Sequence, residues 1–258
     1  MLKQIQNIYL YREMLRNVVL RELRARYKGS VLGFLWTFVN PLLMLVIYSV
    51  VFSYILKTEI INYPMFIFVA LLPWNYFVNS ILQGTVSLVQ NAGLIKKIYF
   101  PREVFPIAVV ISNLVNYLLS LLIMIPALLL TGVHIKLPAI SFPLILLVET
   151  FFVLAFALVL SVINIYFRDM EHLVGVIILA LFYLTPVLYP LSLIPENIIW
   201  IFNLNPITPI IQAYRDIFFE GIWPDWAVLM KVGLFGLVLL VFSMRIFDRM
   251  QRDAAEHI

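Results

Sequence analysis

The sequence predicts an all-α membrane protein with six transmembrane helices. It adds an N-terminal amphipathic interface helix and outer-leaflet re-entrant helices between spans five and six. Three observations carry that expectation. Of the 258 residues, 63% are hydrophobic and only 12% charged. Soluble domains sit near about half and about a quarter, and no soluble core of this size buries so much apolar surface. Six segments reach the roughly 20 mostly apolar residues that a helix needs to cross the hydrocarbon. Basic residues concentrate in alternate connections, as the positive-inside rule requires.

The elements follow in order along a single domain, 1–258. Residues 5–28 read as a helix lying along the membrane surface, with Tyr11, Met14, Leu15 and Val18 on one face at helical spacing. Arg12, Glu13, Arg16, Asn17 and Arg24 fall on the other side. Such a helix sets its apolar stripe at the headgroup boundary and its cations against anionic lipid. The competing reading is that these arginines serve topology alone. Gly29 and Gly33 let the chain turn into span one. Spans are expected at about 34–56, 65–90, 104–130, 141–166, 173–189 and 227–247, with Pro126 in the third and Pro186 near the end of the fifth. Roughly 33 polar or mixed residues precede the first long apolar run, so a secretory signal peptide is not expected.

Orientation comes from the cations. The N-terminal segment holds Lys3, Arg12, Arg16, Arg21, Arg24, Arg26 and Lys28. Lys96, Lys97 and Arg102 follow span two, Arg168 follows span four, and Arg245, Arg249 and Arg252 close the chain. The alternate loops offer only Lys57, Lys136 and Arg215, so both termini are expected in the cytoplasm.

Two loops stand out. NAGLIKKIYFPRE, residues 91–103, sets Leu94, Ile95, Ile98 and Tyr99 beside Lys96 and Lys97. It reads either as a short amphipathic helix for a groove on a soluble partner or as a basic connector. YFRDMEHL, residues 166–173, is a weaker candidate of the same kind. The outward segment 190–226 is too apolar for a solvated loop, and Pro190, Pro195, Pro206 and Pro209 cut it into pieces too short to span. Asn205-Pro206 reads as a turn, Thr208 as an N-cap and Pro209 as the first helical residue. Ile210, Ile211, Tyr214, Ile217 and Phe218 supply an apolar stripe, and Gly221 stops the helix. The expectation is helices that re-enter the outer leaflet, with Arg215, Asp216 and Glu220 at the outer surface, or else plain scaffolding.

Within the spans, Asn75, Asn79 and Gln83 form one stripe, which either bonds across helices or faces water. Asn113 and Asn116 read as helix–helix contacts. Glu149 is either functional or placed in the outer third of its helix, within reach of the headgroups. Phe34, Trp36, Phe38, Trp74, Tyr76, Phe77, Phe182, Tyr183 and Tyr189 fit an interfacial belt, and equally a path whose flat faces suit sugar rings. The chain has no cysteine, no phosphate loop of the G-x-x-x-x-G-K-[ST] type and no nucleophile–base motif. His134, His172 and His257 lie too far apart to share a metal. Topology accounts for the basic residues, so nucleic acid is not an expected partner.

The basic helix, RYKGSVLGFLWTFVNP, six spans, LIKKIYFPRE and NPITPIIQAYRDIFFEG follow one another along essentially the whole chain. In that order they resemble the type-2 ABC exporter permeases, which move lipid-linked cell-surface polysaccharides such as O-antigen, capsule and wall teichoic acid. The resemblance implies two copies of the permease with two copies of a separate P-loop ATPase, which binds the ATP and Mg, and no cofactor or catalytic residue here. It implies a polyprenyl-diphosphate-linked glycopolymer as cargo, carried across a bacterial cytoplasmic membrane. Residues 94–101 (Leu94, Ile95, Lys96, Lys97, Ile98, Tyr99) and about 168–173 (Arg168, Asp169) resemble coupling helices that dock on the ATPase. Residues 5–28 resemble the interface helix, and pieces of 195–219, with Tyr214, Arg215 and Asp216, resemble the outer re-entrant helices. On that reading Arg24, Arg26 and Lys28 draw in the diphosphate, since guanidinium and ammonium groups bind phosphate oxygens well. Phe34, Trp36, Phe38, Phe182 and Tyr183 are then candidates for the path. Two alternatives are a type-2 permease for a drug or small lipid and a membrane scaffold without transport.

Overall fold

The computed structural model describes residues 9–26, 28–51, 62–96 and 100–251; expectations placed on Lys97, Ile98 and Tyr99 lie outside the described residues. Among the described residues every regular element is helical. The α-helices are α1 (Arg12–Ala25), α2 (Trp36–Ser49), α3 (Tyr63–Gln90), α4 (Ala92–Ile95) and α5 (Val104–Leu130). They continue with α6 (Phe142–Tyr166), α7 (Met170–Tyr183), α8 (Ile199–Leu204), α9 (Ile207–Arg215) and α10 (Trp226–Met250). α3, α5, α6 and α10 are long and apolar enough to cross a membrane, while α2 and α7 are shorter apolar helices. At about 1.5 Å per residue the 14 residues of α7 span roughly 21 Å, short of a hydrocarbon core of about 30 Å.

α3 is the central helix. Ile67, Phe68 and Ala70 are wholly enclosed, and α5, α6 and α9 pack around them. Close approach is secured by small residues, the usual device where lipid supplies no hydrophobic drive between helices. A Cβ on Gly84 of α3 would lie 2.9 Å from Cβ of Ala157 on α6, and one on Gly236 of α10 would lie 2.7 Å from the Phe152 ring of α6.

α1 lies across one end of this bundle. Tyr11, Met14, Leu15, Val18 and Val19 pack on a cluster that includes Leu88, Phe100, Val104, Phe105 and Phe247, so the apolar stripe meets protein. The same end gathers other parts of the chain. Arg21 Nη2 donates to Asn91 Oδ1 at 2.5 Å, the Tyr166 hydroxyl donates to the Met250 carbonyl at 2.7 Å, and Arg102 donates to the Gln251 carbonyl. Chain turns between α1 and α2 run through Gly29 (φ 82°) and Gly33 (φ 49°), left-handed conformations that glycine adopts without a Cβ clash.

The segment before α10 departs from expectation in two places. α9 starts at Ile207, ahead of Thr208, because Asn205 Oδ1 accepts from the Ile207 N–H at 3.0 Å and makes the turn itself. Thr208 is buried in the first turn, and its hydroxyl has no hydrogen-bond partner among the described residues. The helix widens into a π turn, Asp216–Glu220, and ends at Gly221 (φ 67°), where the Ile222 N–H returns to the Asp216 carbonyl at 2.9 Å.

Arg215 and Asp216 are buried, contrary to the expected surface position, while Glu220 is exposed. The physical reason is a set of carbonyls that replaces water. Arg215 Nη2 donates to Val187 O at 2.5 Å, Nη1 to Tyr189 O at 3.3 Å and Nε to Phe66 O at 3.5 Å. Its guanidinium carbon lies 3.8 Å from the centre of the Phe66 ring. Planar, five-donor geometry and weak hydration suit arginine to this place. Asp216 accepts from Gln212 Nε2 at 2.9 Å.

Two variants test this packing. Gly84→Leu forces α3 away from α6, and overpacking of this kind costs about 1–3 kcal/mol. A lowered melting temperature in detergent is the expected result; an unchanged one would show that the contact with Ala157 is not tight. Arg215→Met strands carbonyls at about 1–3 kcal/mol each, so it should aggregate during purification, whereas Glu220→Gln at the exposed end of the turn should purify normally.

Candidate functional site

Three helices turn polar faces toward one another beside the end of α1. α2 contributes Thr37, Asn40, Pro41 and Met44, α3 contributes Leu72, Asn75, Tyr76 and Asn79, and α5 contributes Asn113, Asn116, Tyr117 and Ser120. In each helix these residues recur at three- and four-residue spacing, one face apiece. Arg26 and Trp36 complete the wall of a cavity of about 410 Å³. A neighbouring space of about 440 Å³ shares Arg26, Trp36, Asn40 and Asn79 and adds Ser30 and Gln83.

The cation is held by amides. Arg26 Nη2 donates to Gln83 Oε1 and to Asn113 Oδ1, each at 2.9 Å. Asn113 Nδ2 in turn donates to Gln83 Oε1 at 3.1 Å and to Val109 O at 3.1 Å. Trp36 Nε1 donates to Ser30 Oγ at 2.8 Å. Deeper in, both amide atoms of Asn116 are shielded and bond to nothing among the described residues. A buried amide with spare capacity invites a water or a ligand group.

The inner wall is aromatic and leads toward α9. Tyr76 and Tyr117 stack with centroids 5.7 Å apart, and Tyr117 meets Tyr214 edge-on at 6.2 Å. The Thr150 hydroxyl already donates to Leu146 O at 2.7 Å, so the Tyr76 hydroxyl is the donor in their 3.2 Å contact. Tyr214 donates to Glu149 Oε2 at 2.7 Å. Glu149 is fully enclosed, which excludes a reach to the headgroups: α9 covers it, and Tyr214 supplies a hydrogen bond in place of water.

Of the residues singled out from sequence, Arg26 and Trp36 line this cavity, whereas Arg24 and Lys28 are exposed away from it. Phe34 is exposed and pairs edge-on with Phe38 at 5.9 Å; neither lines the cavity. Phe182 packs on Trp74 at 5.7 Å, and Tyr183 is exposed on α7, also outside it. At the α1 end, Leu94 and Lys96 are exposed while Ile95 packs on the cluster beneath α1. Arg168 and Asp169 are exposed in the α6–α7 turn beside exposed Phe167. Nearby Glu103 is buried, which pushes its carboxyl above the usual range; Asp248 adds to that rise, while a backbone hydrogen bond and Arg102 oppose it. Sequence reasoning missed Thr37, Asn40, Met44, Tyr117 and Ser120; their helical spacing was the available signal.

Four helices long and apolar enough to cross a membrane, packed beside an amide-lined cavity, mark a multi-pass membrane protein. The chain belongs to the ABC-2 type transporter family, whose model matches residues 14–219. It is 38% identical over 260 residues to the O-antigen export system permease protein RfbA of Myxococcus xanthus, covering 100% of both chains. It is 31% identical to the protein of the same name from Klebsiella pneumoniae, over 99% of this chain and 98% of that one. The polysialic acid transport protein KpsM of Escherichia coli is 26% identical, over 88% of this chain and 90% of its own.

Proposed function

We propose that the chain is the membrane subunit of an ATP-driven exporter that moves a polyprenyl-diphosphate-linked cell-surface polymer across the cytoplasmic membrane. Wall teichoic acid and O-antigen-type polysaccharide are the two cargo classes. The observation that carries this is the cavity: one guanidinium at its mouth, amides and aromatic rings inside, and apolar helices around it. Names of the full-length relatives support the cargo class. Family membership implies an ATPase subunit as partner, and the ATP and Mg would be bound there.

In this reading two copies of the chain pair with two ATPases. Six passes, with α2 and α7 as the short ones, put both termini in the cytoplasm, and α8 and α9 re-enter the outer leaflet. The diphosphate meets Arg26, with Arg24 and Lys28 outside as a wider cationic field. Glycan follows along the cavity, its ring faces on Trp36. ATP-driven closure of the partners would act through Leu94 to Tyr99 and through Arg168 and Asp169. α1 would transmit the motion, because Arg21 bonds to Asn91 just ahead of α4.

Two experiments test the proposal. Deleting the gene should strand lipid-linked polymer in the cytoplasm; surface polymer at normal level with none stranded would sink it. Arg26→Gln should lower export at least tenfold while membrane insertion, followed by accessibility labelling of the termini, stays intact. Normal export by that variant would remove the guanidinium from the mechanism.

A further inference from the structure

We infer, resting on the export reading above, that the cargo carries an uncharged glycan and that the cavity is the subsite which selects for it. The observation is a charge inventory. Among the described residues lining the cavity and its neighbouring space, Arg26 alone is charged; Asn40, Asn75, Asn79, Gln83, Asn113 and Asn116 are amides. No carboxylate and no lysine is among them.

Each amide both donates and accepts, as does each sugar hydroxyl, so the two surfaces satisfy one another without net charge. Trp36, part-exposed in the wall, adds a flat face for the C–H side of a pyranose ring. Asn40 and Asn79, exposed, and Asn75, part-exposed, offer their amides to such hydroxyls. A polyanion meets the opposite conditions. Every phosphodiester or sialic acid unit entering from water sheds hydration, and a buried charge is tolerated only when paired. One guanidinium, already donating to Gln83 and Asn113, matches one anionic group per molecule, the diphosphate. It does not match one anion per sugar. Between the two cargo classes, the cavity therefore favours a neutral O-antigen-type chain over a phosphate-rich teichoic acid.

Binding to the chain with its ATPase partner in nanodiscs decides the matter. Three probes share one anchor: undecaprenyl diphosphate alone, the same lipid bearing six mannose units, and the same lipid bearing six sialic acid units. The mannosyl probe should bind at least tenfold tighter than the bare anchor, and the sialyl probe no tighter than the anchor. Asn75→Ala should erase most of the mannosyl gain. Asn79→Lys, at an exposed position, should shift the sialyl-to-mannosyl ratio at least fivefold toward sialyl. Equal binding of the two glycans, or a mannosyl probe no better than the anchor, overturns the inference and leaves the export reading standing. Failure of all three probes to bind removes the export reading and this inference with it.

Discussion

Arg215 carries its charge into the interior with carbonyls, not a carboxylate, accepting its hydrogen bonds, and one end of the bundle is arranged around that charge. Its donors reach the 187–189 turn after α7 and the first turn of α3, while its own backbone belongs to α9. Three stretches far apart in sequence are thereby fixed to one planar group. In lipid the alternative for each carbonyl is no partner at all, which makes such a pin stronger than the same bonds at a wet surface. Tyr214, next in the chain, applies the same logic to Glu149 on α6. Adjacent residues of α9 thus lock two different neighbours, and α9 cannot move without releasing both.

Elsewhere the bundle keeps its small polar groups by returning them to their own helix. Thr85, Ser87, Ser112, Thr150, Ser161 and Thr185 each donate to a carbonyl three or four residues earlier. Each of these hydroxyls has thereby placed its one proton, and what remains is acceptor capacity, taken up by Tyr76 at Thr150 and by Asn205 at Thr185. Amides carry more donors and acceptors than that local solution absorbs: Asn113 bonds back to Val109 and still donates to Gln83. They must find partners across helices or face a space, and the facing surfaces of α2, α3 and α5 supply that space. The cavity is thus where the usual rule of internal satisfaction is relaxed.

How much of this was legible in the chain follows from the range of each interaction. Apolar runs and helical class are local, and the stop at Gly221 follows from local backbone chemistry. The polar stripe of α3 was likewise visible, because residues at i, i+4 and i+8 share a face in any helix. That Asn40, Asn79 and Asn113 would meet was not, since nothing within one helix states which neighbour its face addresses. Arg215 failed for a related reason. An Arg-Asp pair near a turn reads as surface, and only the carbonyls of Phe66, Val187 and Tyr189, all remote in sequence, make burial tolerable. Asn205 was read as part of a turn while Thr208 was given the cap, because both are good capping types and spacing alone does not rank them.

The position of Arg26 is itself a consequence of packing. Successive residues of a helix are rotated by about 100°. Val18 is the buried centre of the α1 stripe, and eight residues on the helix has turned to roughly 80° from it, which points Arg26 along the flank of the buried face. Arg24, six residues on, stands roughly 120° away on the other side and is exposed. The apolar contacts of Val18 with the cluster of Leu88, Val104 and Phe105 set that rotation, and Arg21, bonded to Asn91, holds the helix along its length. A basic run that reads as a simple topology signal is thus sorted by one buried valine into a cation aimed at the cavity and cations left to the surface. Any movement of α1 against α5 would change how Arg26 meets Gln83 and Asn113 before it disturbed anything deeper in the bundle.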